Sequence, residues 1–128
     1  QNIAYSRDRN GWRTYASEVL LEALISRLNI DCFHVSSPFE GSGDDSVVSI
    51  GKIESDKLFS ATVYDLIPLL MPDLYLTTEV YSAFYYQRIN SLKSADVLLA
   101  ISGHSTKEVV GHLPFDEKNI INISAAID

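Results

Sequence analysis

Two apolar runs in this sequence end on side chains that can do chemistry. Asp65 closes "LFSATVYDL", and "ADVLLAIS" runs into "SGHS", which places Ser102, His104 and Ser105 together. A carboxylate can hold a hydroxyl or take a proton, and an imidazole can do either near neutral pH. Serine hydroxyls at a helix start cap it, or bind an anion beside its free N–H groups. For Asp65 two readings stand level: a ligand-facing carboxylate, or an Asp that closes its own turn through the backbone. Ser105 and Glu108 have the S-x-x-E spacing of a capping box, which favours a structural role for Ser105.

Other chemistries lack their residues. No G-x-S-x-G elbow exists, so Ser, His and Asp do not suggest a hydrolase triad. "GSGDDS" holds a lone G-x-G, too short for a dinucleotide fingerprint. Asp44 and Asp45 are adjacent carboxylates without neighbouring ligands and read as solvated, so neither a metal nor a cofactor is expected. His34, mid-run in "DCFHV", reads as a satisfied core histidine, and Cys32 as a buried, inert thiol.

The elements that must position these groups follow from periodicity. "WRTYASEVLLEALISRL" repeats apolar residues at Trp12, Tyr15, Ala16, Val19, Leu20, Ala23, Leu24 and Leu28, predicting an amphipathic helix over 12–28 with Asn10 as its cap. Strands are predicted near 31–37, 58–64, 96–101 and 119–124, the third apolar enough to be covered on both sides. Further helices are predicted near 78–94, capped by Thr77 or Thr78, and near 105–113. Between the first two strands runs a long irregular stretch, "PFEGSGDDSVVSIGKIESDK". Strands alternating with helices predict one α/β domain over 1–128, a Rossmann-like doubly wound parallel sheet. In such sheets ligands bind beyond the carboxyl ends of the strands, which gathers Asp65, the 38–57 loop and "SGHS" on one edge. Pro68 and Pro72 deny "LIPLLMP" a regular helix, so some of its apolar residues should stay exposed on the rim.

Composition narrows the partners. Ten basic against 17 acidic residues give a net charge of −7, and no Lys/Arg cluster offers a nucleic-acid surface. A single cysteine permits no internal disulfide, which fits a cytoplasmic location. No apolar run reaches the roughly 20 residues of a membrane-spanning helix.

Three stretches carry a resemblance: "HVSSPFEGSGDDSVVSIG", "ATVYDLIPLLMPDLY" and "SLKSADVLLAISGHSTKEVVGHL" with the later "NIINISAAID". Together they resemble the N-terminal domain of family 4 retaining glycosyltransferases, in the bacterial sub-group that builds surface polysaccharides such as O-antigen, often mannosyltransferases. The resemblance implies a GT-B architecture, two Rossmann-like domains across a cleft. Sugar would pass, without a metal, from a nucleotide-sugar donor to a glycan or lipid-linked glycan acceptor. It implies that these residues form a partial N-terminal domain on the acceptor side, inactive alone. The opening strand with its glycine-rich loop and the donor-binding C-terminal domain are expected elsewhere. The protein could then sit at the inner face of the plasma membrane, and the 66–72 loop could meet acceptor lipid or a second subunit.

Residue by residue, the resemblance makes Asp65 the catalytic candidate. Tyr64, Glu40, Gly41, Ser102, His104 and Ser105 become substrate-binding candidates, within a cleft face that includes Phe39 to Asp45. Many relatives have His-Asp where this chain has Tyr64-Asp65; a tyrosine donates a hydrogen bond but does not titrate as an imidazole does, so Tyr64 is a sugar contact. The alternative is a non-catalytic module, flavodoxin-like, receiver-like or glycan-binding. A receiver would need a lysine after its last strand, and the sequence shows none there.

Overall fold

The computed structural model describes residues 11–43 and 46–124. Four strands, β1 (Cys32–Val35), β2 (Leu58–Val63), β3 (Val97–Ala100) and β4 (Ile120–Asn122), form one sheet in chain order, every neighbour parallel. Helix α1 (Trp12–Ile25) precedes β1. Two single turns, α2 (Ile67–Leu70) and α3 (Pro72–Tyr75), follow β2 and lead into α4 (Glu79–Leu92). Helix α5 (Gly103–His112) joins β3 to β4. This is the Rossmann-like α/β sheet that the alternating pattern predicted.

Sequential strand order with right-handed crossovers puts α4 and α5 on one face of the sheet. The core lies on that face, where Phe59, Ala61, Val63, Leu98 and Ala100 meet Ile89, Leu92 and Val109. Each large apolar side chain fully buried there contributes about 1.5–3 kcal/mol. The opposite face is only partly covered, which corrects the expectation for β3. Leu98 and Ala100 are buried while Val97 and Leu99 are half-buried. It also corrects two readings on β1, an edge strand: Cys32 is exposed, and so is His34. His34 is satisfied nonetheless, with Nδ1 2.9 Å from Ser60 Oγ and Nε2 3.0 Å from Thr62 Oγ1.

Helix α1 lies the other way round from its apolar stripe. Glu18, Glu22 and Ile25 are its buried residues, whereas Trp12, Tyr15, Leu20 and Leu24 are exposed. Polar partners explain the inversion. Arg88 of α4 donates to Glu18 Oε1 at 3.1 Å, and Lys52 Nζ lies 2.8 Å from Glu18 Oε2, close though not aligned as a hydrogen bond. Ser49 Oγ and the Ile53 N–H donate to Glu22 at 2.6 and 2.7 Å. Two carboxylates and two cations thus tie α1, the 48–53 segment and α4 together. The helix starts at Gly11 in the left-handed region (φ 66°), and Asn10 lies outside the described residues.

Candidate functional site at the carboxyl edge of the sheet

The ends of β2 and β3 converge through α5. Ser102 is the N-cap of α5, its Oγ accepting from the Ser105 N–H at 3.1 Å. This moves the helix start three residues ahead of the predicted capping box. Ser105 is therefore inside the first turn, where its hydroxyl lies 3.0 Å from Ser102 Oγ and donates to the Tyr64 carbonyl at 2.6 Å. Glu108, one turn on, accepts from the Leu66 N–H at 3.0 Å. Tyr64, Asp65, Ser102, His104 and Ser105 thus share one edge, as their places after strand ends predicted.

Asp65 is exposed there, and its Oδ1 accepts from the Ile67 N–H at 3.0 Å. The turn-closing role is real, and it engages one carboxylate oxygen. Tyr64 is 51% exposed, enough for its hydroxyl to meet a ligand. The apolar stretch behind them forms no continuous helix, as the prolines predicted, but two single turns that break at Met71. Pro68 and Pro72 each fall in the first two positions of a helical turn, where a missing N–H costs nothing. Leu66 is fully buried, while Ile67, Leu70, Met71 and Leu74 are exposed, so the rim is apolar as predicted.

A second feature opens beyond β1. A cavity of about 270 Å³ is lined by five apolar residues, Leu21, Phe33, Val35, Val47 and Val48, and by the polar His34, Ser36, Ser37, Glu40, Ser46 and Ser49. Ser37 Oγ donates to Glu40 at 3.0 Å, so the carboxylate is held but exposed. Gly41 is buried and turns the chain at φ 97°, a conformation that a side chain would resist. Asp44 and Asp45 lie outside the described residues. Among the described residues no three His, Cys, Asp or Glu side chains group as metal ligands would, and no helix is long and apolar enough to cross a membrane.

Tyr85 is buried near the carboxyl edge, and nothing in the sequence separated it from the other apolar residues of α4. Phe39 stacks on it at 4.9 Å and 14°. Burial pushes its phenol well above its ordinary value, although a contact with the Leu69 backbone opposes this, and the charge of nearby Asp65 adds to the rise. Its hydroxyl forms no well-aligned hydrogen bond. Tyr85 therefore stays a neutral, buried aromatic against Phe39.

No protein-family model matches the chain, and no solved structure does. Three Escherichia coli proteins, each described as a serotype-specific mannosyltransferase WbdA, match over 124 residues at 31%, 30% and 30% identity. The matched stretch is 97% of this chain but only 15% of each relative. Over nearly its whole length, then, the chain is similar to a short stretch of a mannosyltransferase.

Proposed function

We propose that this chain is the acceptor-side portion of a glycosyltransferase that moves a hexose, mannose in the leading reading, from a nucleotide sugar to a growing surface polysaccharide. The observation that carries the reading is the convergence of Tyr64, Asp65, Ser102, His104 and Ser105 on one sheet edge, in a chain similar to mannosyltransferases along 97% of its length. The architecture is GT-B and transfer proceeds with retention of anomeric configuration. In this reading the donor nucleotide is held by a second Rossmann-like domain outside these 128 residues.

Ser102 and Ser105 spend their hydroxyls holding this edge together, which leaves the binding parts to Asp65, Tyr64 and the groups around the cavity. Asp65 keeps Oδ1 on the Ile67 N–H, which fixes the carboxylate, and offers Oδ2 to a sugar hydroxyl. A carboxylate held this way binds hydroxyls without a reorganisation cost, so the contact gains strength from preorganisation. Tyr64 adds a phenolic donor beside it. The cavity with its serines and Glu40 suits a ring bearing several hydroxyls, because serine hydroxyls donate and accept while the carboxylate oxygens accept. The apolar rim at Ile67, Leu70 and Met71 faces the lipid carrier of the acceptor.

Incubating the protein that contains this chain with GDP- and UDP-sugars and a mannoside acceptor tests the reading. Mass spectrometry should show one added hexose, and proton NMR an anomeric configuration matching the donor. No transfer from any donor would overturn it.

A further inference from the structure

Residues Ser105 and Glu108 do more than start a helix. Both are buried, and they lie one turn apart on the side of α5 that faces the end of β2. Ser105 Oγ donates to the carbonyl of Tyr64, and Glu108 Oε2 accepts from the N–H of Leu66. Those two main-chain groups flank Asp65 on either side. Glu108 also reaches the helix start, where its Oε1 lies 3.1 Å from His104 Nε2, while the imidazole is 83% exposed. A buried carboxylate is costly unless every oxygen is engaged, and here each oxygen has one partner.

The pairing fixes more than position. The Glu108 oxygen lies close to Nε2 without an aligned hydrogen bond, and its negative charge repels a lone pair there and favours the hydrogen on Nε2. The neutral ring then carries its lone pair on Nδ1, and the described residues offer the ring no other partner. We propose that Glu108 is a positioning residue that sets both the Asp65 ledge and the tautomer of His104, and that His104 Nδ1 accepts a hydrogen bond from a sugar hydroxyl. This rests on the glycosyltransferase reading for the identity of the ligand, and on the geometry alone for the positioning.

Glu108→Gln separates these roles. The amide oxygen can still accept from Leu66, so the ledge and the fold persist. The amide nitrogen, however, donates toward His104 Nε2, which moves the ring proton to Nδ1 and turns an acceptor into a donor. Nitrogen-15 NMR of the full protein at a pH where His104 is neutral should report Nε2–H in the wild type and Nδ1–H in Glu108→Gln. Transfer, read as kcat/KM for the acceptor, should fall about a hundredfold in Glu108→Gln and in His104→Ala alike, with the double variant no worse than either. An unchanged tautomer in Glu108→Gln would overturn the positioning. Wild-type transfer by His104→Ala would overturn the hydroxyl contact. If the unsubstituted protein transfers no sugar, the glycosyltransferase reading falls instead, and the tautomer alone decides the positioning.

Discussion

Replacing Arg88 by Met should be among the most damaging changes to this fold. Arg88 is 2% exposed and donates to Glu18 Oε1 at 3.1 Å and to the Val48 carbonyl at 2.6 Å, with its guanidinium 5.0 Å above the Phe84 ring. Met matches its bulk but not its charge. Glu18, 1% exposed, would be left with Lys52 alone, and the Val48 carbonyl without its donor. Breaking one side of a buried ion pair costs about 3–5 kcal/mol. Against a total stability of roughly 5–15 kcal/mol, that is a large share. With a urea dependence of about 2 kcal/mol per molar, the unfolding midpoint should drop by about 2 M. Replacing Glu18 by Met as well removes the stranded charge, since Lys52, 22% exposed, can turn to water. The double variant should recover to within about 2 kcal/mol of the wild type. If Arg88→Met costs less than about 1 kcal/mol, or the double variant loses the sum of the singles, the inverted burial of α1 is not held by this pair.

Tyr85→Phe should stabilise the fold by about 1 kcal/mol in urea melts, because the buried hydroxyl lacks a well-formed hydrogen bond. The raised Tyr85 phenol also gives the wild type an alkaline limb. The folded state holds that proton more tightly than the unfolded chain, so this stability is complete below the ordinary value of 10.0 and is lost as pH rises beyond it. Melts of Tyr85→Phe above that pH should lack the fall, and an equal fall in both proteins would refute the assignment. Gly51→Ala should destabilise by more than about 1 kcal/mol, since Gly51 has φ 62° and a Cβ there would meet Ser94 Cβ at 2.8 Å. Gly111→Ala, in α5 with nothing within 4 Å, should instead stabilise by about 0.5–1 kcal/mol. Titration calorimetry of the 128-residue chain with GDP- and UDP-sugars should show no binding, and micromolar affinity for any would place the donor site here.

The sheet was legible because its signal is local. "VLLA" is bounded by helical patterns on both sides and "LFSATV" is followed by them, and parallel pairing follows from that alternation. The carboxyl-edge cluster was legible for the same reason: Asp65 and Ser102 follow strands directly. What escaped depends on partners far along the chain. Glu18 reads as a solvated residue on the polar face of α1, and only Arg88, 70 residues away, makes it a buried one. Glu108 reads as half of a capping box, yet its partners are Leu66, 42 residues earlier, and His104. Cys32 and His34 were misplaced because no local pattern says which strand becomes an edge. Pro68 and Pro72 do keep the stretch from one regular helix; what the sequence did not show is that each also opens a single turn, where its missing N–H costs nothing.

The claim that Asp65 serves transfer and not the turn alone is tested most directly by one ratio. Asn at this position can keep the Oδ1 contact with the Ile67 N–H, so the fold and its unfolding midpoint should stay as in the wild type while the charge is lost. The measurement is kcat/KM for sugar transfer by Asp65→Asn against the unsubstituted protein. A fall of about a hundredfold or more with an unchanged melting curve is the expected result. Activity near the wild-type level would show that Asp65 closes a turn and nothing more.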